Sequence, residues 1–498
     1  MLNTLNKKNY SIYLISCLGG ILGGVSVSNH YWLFIMPLSL FILWDGIYKE
    51  YSNFIWGFFF ILISHSWILH LHPLSLYGFS TLTSLTITIF IWLSMAVLGG
   101  LLTYLWGFSA KTILVRNKFM TMSSREIITK ATLVSFFWAF GEFILSQTPF
   151  FWIGLGDSMV SGDLYLAGLA RWLGSYGLCV IQLLIGFWLY IIKIKFKRGL
   201  NYQKVIKVGL VSLSLLHLTG FILIRSQQES PNYPIALWQT NISTREKSFI
   251  NKNQMMNKVI DAQEKALSQN AELLLSPEGT LQKDFLFDIP SKMNSLMGGF
   301  RTSNNGLRSS ILNYKKGEKK YASFIDKFRL VPLGESVPPF LKSNLKGLSA
   351  LGSLDSGSKS RLLESDTNFP LTIVICYEIS NSALIREATK NGSELILAMA
   401  NLYPYPLQLR NQFLSIARMR SIENSRDLLI ASNTGPSGLI RNDGKVDSLL
   451  KHEIELVKVF YPNLSKRLTF YSEFGYKPLL IIFLILILLN FSFKKLTN

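Results

Sequence analysis

The sequence predicts an α/β domain carried on a polytopic bundle of membrane helices. Three observations predict it. Of the 498 residues, 49% are hydrophobic and only 16% charged, so much of the chain belongs in lipid. Apolar runs approaching the roughly 20 residues needed to cross a bilayer recur seven times before Arg225 and once more at the C-terminal end. Between the seventh and eighth runs, short strand-like segments alternate with helical patterns, which argues for an α/β sheet buried on both faces.

The first seven segments fall at 10–27, 31–48, 54–72, 84–108, 131–150, 172–192 and 206–224, and the eighth runs from Pro478 to Phe493. Lys7 and Lys8 before an apolar run resemble a signal peptide, but no small-residue cleavage site clearly follows, so a retained helix is expected. The net charge of +20 could suggest nucleic acid; the positions of the charges point to basic cytoplasmic loops instead. Lys49 follows the second segment. Lys111, Arg116, Lys118, Arg125 and Lys130 lie around the fourth loop, Lys193, Lys195, Lys197, Arg198, Lys204 and Lys207 around the sixth, and Lys494 and Lys495 after the last segment. The alternate loops are almost free of Lys and Arg apart from Arg171. The positive-inside rule then places both termini in the cytoplasm and the intervening domain outside. The expected division is a seven-helix bundle over 1–225, a catalytic domain over 226–474 and an eighth span with a cytoplasmic tail over 475–498. Glu142, beside Trp138 in the fifth segment, either faces a cavity or bonds a neighbouring helix. His65, His70 and His72 lack the Cys or carboxylate company of a metal site and are expected to be packing residues.

The domain opens with the strand Pro234–Gln239 and a helix over 246–269. The strand Glu272–Leu275 ends in Ser276-Pro277-Glu278, where proline stops the ladder just before a carboxylate. Strand-like Tyr321–Phe324 leads to Asp326-Lys327 and then to Val331-Pro332-Leu333-Gly334-Glu335. The β-branched run Leu371–Ile375 delivers Cys376, Tyr377 and Glu378 at a strand end, where open α/β sheets place reactive groups. A helix near 381–391, a strand over 395–399, a helix over 407–425 and a strand over 428–432 follow. The Ser- and Gly-rich stretch 348–360 reads as a mobile loop.

Of the three cysteines, Cys17 and Cys179 fall in apolar helices and Cys376 alone in the domain, so no disulfide framework is implied. A cysteine nucleophile needs a base. Five of the six histidines belong to the membrane part, and His452 sits in a charged, solvated-looking loop, which argues against a Cys–His pair. A carboxylate is left, and Glu278 after its proline is the candidate. Lys327 supplies a cation that favours a thiolate or stabilises an oxyanion. Glu335 could hold that ammonium or Glu278, and the Tyr377 N–H, next to the cysteine, is a natural second oxyanion donor. Two segments, 285–300 and 337–351, mix apolar residues with Gly or Pro and are expected to be mobile lids touching the membrane. Phe287 and Phe340 lie in them.

The order Pro-Glu, then Lys with Leu-Val-Pro-Leu-Gly-Glu, then Cys-Tyr-Glu resembles the nitrilase superfamily. Eight spans with the domain between the seventh and eighth resemble its membrane-anchored branch, the apolipoprotein N-acyltransferases of bacterial lipoprotein maturation. The resemblance covers nearly the whole chain and includes Gln239-x-Asn241-Ile242, Ala417-Arg418-x-Arg420-x-x-Glu423 and Asn433-Thr434-Gly435-x-Ser437. It implies an αββα sandwich, Glu278 as general base, Lys327 as oxyanion stabiliser and Cys376 as nucleophile, with Glu335, Tyr377 and Glu378 in support. It also implies a membrane phospholipid as acyl donor, a diacylglyceryl-cysteine apolipoprotein as acceptor, and a bacterial inner-membrane setting with a periplasmic domain. No cofactor, metal or nucleic acid is expected, and the chain is expected to be a monomer. Two stretches depart from the family pattern: Ser248 stands where a tryptophan is usual, and Asn401-Leu402-Tyr403-Pro404-Tyr405 replaces Asn-Asp-x-Trp-Phe. Both belong to loops near the substrate, so Tyr403 is a candidate substrate contact.

Overall fold

The computed structural model describes residues 2–28, 35–74, 79–115, 122–225, 232–247, 249–303, 306–332, 334–336, 354–364, 369–403 and 405–496; the side chains of 2–10, 28, 244–245 and 493–496 are not among those described. The N-terminal helices are α1 (Leu2–Ser28), α2 (Met36–Asp45), α3 (Ser52–Ser64), α4 (Thr81–Ile113), α5 (Ser124–Ser146), α6 (Leu155–Ser158), α7 (Leu164–Ala167), α8 (Ala170–Lys197) and α9 (Gln203–Arg225). Among the described residues, α4, α5, α8 and α9 are long and apolar enough to cross a membrane, while the apolar stretches 11–27, 36–45, 52–64 and 477–492 are shorter. The apolar segment 54–72 is not one helix. It stops at Ser64, because His65 takes non-helical angles (φ −111°, ψ 18°) and a 3-10 turn, Ser66–Leu71, follows. His65 bonds Ser64 (2.9 Å) and His72 bonds Ser84 (2.8 Å), and no metal-binding cluster occurs among the described residues. A tryptophan cluster fills the bundle core: Trp44 meets Trp106 edge-on at 4.9 Å, and Trp106 meets Trp138 at 5.4 Å.

Among the described residues, the following part contains twelve strands in two six-stranded sheets. The first sheet has the order β12 (Leu456–Phe460), β1 (Ile235–Gln239), β2 (Leu273–Leu275), β3 (Asn294–Ser303), β4 (Gly306–Tyr314), β5 (Ser323–Asp326). The second has the order β11 (Val446–Leu449), β10 (Gly438–Ile440), β9 (Leu428–Ser432), β8 (Leu395–Ala400), β7 (Leu371–Ile375), β6 (Leu362–Leu363). Strand period 2 decides which residues meet. Ile235, Leu237 and Leu275 of the first sheet pack on Ile373, Ile375 and Leu397 of the second. The alternate residues Ala236, Trp238 and Leu274 turn outward onto helix α11 (Lys252–Leu267) through Met255, Val259 and Ala262. On the other side, Val374, Ala398 and Ile430 turn onto α12 (Ser382–Lys390) and α13 (Leu407–Asn424). These four layers are the αββα order.

Helix α11 begins at Lys252, later than its apolar pattern suggests. Asn251 and Gln254 cap it reciprocally, each side chain accepting from the other's backbone N–H at 2.9 Å. A short helix, α10 (Thr244–Lys247), precedes it. The chain ends in α14 (Phe470–Phe474) and α15 (Lys477–Leu496).

The expectation of a lid over 285–300 is corrected. Residues 294–303 form β3, which pairs parallel with β2 and antiparallel with β4. Phe287 is 3% exposed and stacks on Tyr314 at 4.2 Å, so it belongs to the core under α11 and does not line an approach for substrate. The glycines that suggested a loop have a different cause. A Cβ at Gly298 would stand 2.0 Å from the Pro277 carbonyl oxygen, so glycine lets the Pro277–Glu278 turn lie on the strand. Phe340 and the rest of the second expected lid, 337–351, lie outside the described residues, as does Ser248.

Helix α13 is covered on both faces. Leu409, Phe413 and Ala417 meet the second sheet, while Met419 and Ile422 meet Met159 and Leu166 of the α6–α7 segment. Polar contacts follow the same seam: Trp152 Nε1 donates to Gln412 Oε1 (2.8 Å), and Gln412 Nε2 donates to the Ser64 carbonyl (2.8 Å). Arg171, the exception to the charge pattern, joins the same seam by donating to the carbonyls of Leu223 (2.6 Å) and Asn442 (3.0 Å).

Candidate active site

Three strand ends converge at one point between the sheets. Glu278 follows β2, Lys327 follows β5 and Cys376 follows β7. Lys327 is fully buried, and its Nζ donates to Glu278 Oε1 (2.8 Å) and Glu335 Oε1 (2.7 Å). Glu278 Oε1 also accepts from the Ser309 hydroxyl (3.2 Å), and Oε2 accepts from the Asn401 N–H (3.3 Å). Glu335 is fixed through Oε2, which accepts from the Val331 N–H (2.9 Å). The Cys376 thiol lies beside Glu278 and within the field of Lys327 and Glu335.

The cysteine is partly exposed, whereas Glu278 is 6% exposed and Lys327 0%. Its backbone takes φ +49°, a left-handed conformation that side chains other than glycine adopt under strain. The thiol is thereby presented on a sharp strand-to-turn elbow. A 3-10 turn, Cys376–Ser380, starts there, and the Tyr377 N–H sits in its first turn, where donors have no intrahelical acceptor.

Electrostatics suit a proton relay. Burial and the neighbouring Glu278 charge push the Cys376 thiol well above its ordinary range, with Lys327 opposing. The thiol is therefore neutral at rest and needs a base. Burial alone would lower the Lys327 ammonium, but Glu278 and Glu335 more than offset it, so the lysine is held charged. Burial raises the Glu335 carboxyl, and Lys327 pulls it back. A thiol with an adjacent carboxylate acceptor and a permanent cation can form a thiolate, attack an acyl carbon and stabilise the oxyanion that results.

The remaining candidates are placed differently. Glu378 is fully buried and serves the elbow's backbone: Oε2 accepts from the Ile375 N–H (2.9 Å), Oε1 from the Phe328 N–H (2.7 Å), and Arg361 pairs with both oxygens at 3.0 Å. Tyr377 points to the bundle. Its hydroxyl donates to the carbonyls of Pro149 (2.7 Å) and Phe151 (2.5 Å), and its ring stacks on Trp152 at 6.0 Å. Tyr403 is 37% exposed, two residues from Asn401. His452 is a correction: it is half-buried with its ring against Gly435, because a tight turn there leaves no room for a Cβ, which would lie 2.7 Å from Nδ1. Glu142 lines a cavity of about 310 Å³ among α3, α4 and α5, and its carboxylate accepts from Trp138 Nε1 (2.9 Å) and the Leu155 N–H (3.0 Å). Sequence reading missed Arg361 and Arg329. Arg329 lies over the Tyr377 ring at 4.8 Å and donates to the Ser146 carbonyl at 2.8 Å. Only the fold brings either to its partner; no local pattern marks them.

A glutamate, a lysine and a cysteine meet at the strand ends of an αββα sandwich joined to apolar helices, an arrangement suited to acyl chemistry on a thiol. No protein-family model matches the chain. Curated relatives do: apolipoprotein N-acyltransferase of Prochlorococcus marinus subsp. pastoris is 53% identical and covers 100% of both chains, and that of Parasynechococcus marenigrum is 36% identical over 92% of this chain and 96% of its own. The chain belongs to the apolipoprotein N-acyltransferase family. Among solved structures, a Nesterenkonia amidase of the nitrilase superfamily superposes with a TM-score of 0.37 at 14% identity, covering 51% of this chain and 97% of its own. Saccharomyces cerevisiae Nit3, also of that superfamily, gives a TM-score of 0.36 at 15% identity, with 51% and 97% covered.

Proposed function

We propose that this protein moves an acyl chain from a membrane phospholipid, through a thioester on Cys376, to the α-amine of an N-terminal diacylglyceryl-cysteine on an apolipoprotein. The single observation that carries the reading is Lys327, fully buried between Glu278 and Glu335 beside the thiol. Glu278 takes the thiol proton, and the sulfur attacks the ester carbonyl. Lys327 and the Tyr377 N–H bind the oxyanion. The ester C–O bond breaks, and Glu278 returns its proton to the lysophospholipid oxygen. In the second half, the acceptor amine attacks the thioester and Glu278 accepts a proton from it. The C–S bond breaks, and the proton goes back to sulfur. One pocket serving two substrates in turn gives ping-pong kinetics.

The membrane arrangement is part of the same proposal. Eight spans, with the bundle over 1–225, the catalytic domain over 226–474 and the last span over 475–498, put both termini in the cytoplasm and the active site on the periplasmic side of the inner membrane. The alternation of basic loops supports this. A single copy holds every residue invoked, which supports a monomer.

Complementation of a strain lacking this transferase tests the reading, with mass analysis of a lipoprotein N-terminus. The expected result is one added amide-linked acyl chain. Release of free acid or a small amide product, with no N-acylated lipoprotein, would instead identify a membrane-anchored amidase.

A further inference from the structure

The Glu278–Lys327–Glu335 cluster contains two carboxylates and one ammonium. A buried group of net charge is unfavourable unless another charge offsets it. The structure supplies one. The Lys247 Nζ, at the end of α10, donates to the carbonyl of Gly279 at 2.8 Å, one residue beyond the base. Gly279 lies at φ +64°, and a Cβ built on it would come within 3.7 Å of that same Nζ, so the ammonium is packed on the turn that carries Glu278. Lys247 is half-buried, and the charge acting on it is that of Glu278. Its neighbour Glu246 is exposed and turned to its own helix start, where it accepts from the Ser243 N–H at 2.8 Å. Among the described residues, the titratable groups facing Glu278 are therefore Lys327 just after β5, Glu335 from the following turn, Cys376 from the elbow and Lys247 from α10.

We propose that Lys247 is a positioning residue for the transfer: its ammonium holds the Gly279 carbonyl, and with it the turn that carries Glu278, and supplies a second positive charge to a cluster of two carboxylates. The inference rests on the proposed role of Glu278 as base. Burial lowers the Lys247 ammonium to about 8, with Glu278 opposing, so the charge is present through neutral pH. Removing it leaves the two carboxylates with one cation between them, so activity is lost at a higher pH on the acid side.

The test is the pH profile of Cys376 acylation by labelled phospholipid in the full-length protein in detergent, without acceptor. Lys247→Met should move the acid limb up by about one pH unit, and Lys247→Arg should leave it in place. Lys247→Gln, read alongside a thermal melt, serves if the methionine variant does not fold. A limb unmoved in the neutral variants, or moved as far by arginine as by methionine, overturns the inference even if the rate falls. Wild type that acylates at no pH would sink the proposed function itself, and this inference with it.

Discussion

Two buried sites in this molecule share one charge pattern, a cation between two carboxylates. At the strand ends it is Lys327 between Glu278 and Glu335; at the seam between bundle and sandwich it is Arg420 between Asp157 and Glu423. The first lies beside a partly exposed thiol. The second is sealed, with Arg420, Asp157 and Glu423 each no more than 2% exposed. Glu423 also accepts from the Ser175 N–H (2.8 Å), a donor freed by the kink at Gly174 in α8. The difference suits each cation to its surroundings. An ammonium is a compact charge that can follow a developing oxyanion, while a planar guanidinium fits fixed carboxylates and holds two bodies together.

The largest expected effect comes from the first site. Lys327→Met leaves two buried carboxylates without their cation and should lower Cys376 acylation by about 10²–10³-fold. Lys327→Arg should fail to restore it, because a wider group must enter a fully buried slot. Wild-type rates with arginine would erase the distinction between the two sites.

The second site should answer in stability. Arg420→Met strands Asp157 and Glu423 and should destabilise the fold by about 3–5 kcal/mol, measured by denaturation in detergent. The protein that remains folded should still acylate Cys376. The same site sets a pH dependence. Burial raises the Glu423 carboxyl from 4.5 to about 7, with Arg420 opposing. A folded-state value above the unfolded one gives stability that is full below about pH 4.5 and lost as pH rises through about 7. Glu423→Gln should therefore gain thermal stability relative to wild type between those values, and a constant difference across that range would contradict the assignment.

The smallest effect is expected between the sites. Tyr377→Phe removes the hydroxyl bonds to Pro149 and Phe151 and should cost about 1 kcal/mol. Because Tyr377 follows the proposed nucleophile directly, the loss should appear in acylation rate as well as in melting temperature.

The sequence revealed the first site better than the second. Glu278, Lys327 and Cys376 each follow a short apolar strand, and strand ends are visible as changes of pattern. The alternation of β1, β2, β7, β8 and β9 with α11, α12 and α13 was equally visible. Strand β3 was hidden because Gly298 and Gly299 read as loop residues, although Gly298 is glycine to admit the Glu278 turn. That error carried Phe287 with it. The break after Ser64 was hidden inside a continuous apolar run. Arg361, Lys247 and the Asp157–Arg420 pair were illegible for another reason: their partners lie 17, 32 and 263 residues away, and only folding makes them neighbours.

The most direct measurement is the intact mass of the purified protein after incubation with phospholipid and no acceptor. Wild type should gain one acyl chain, labile to hydroxylamine as a thioester is, and lose it when a diacylglyceryl-cysteine peptide is added; Cys376→Ala should gain nothing. Acyl mass persisting on the alanine variant, or N-acylated peptide forming while Cys376 never becomes acylated, would contradict the account.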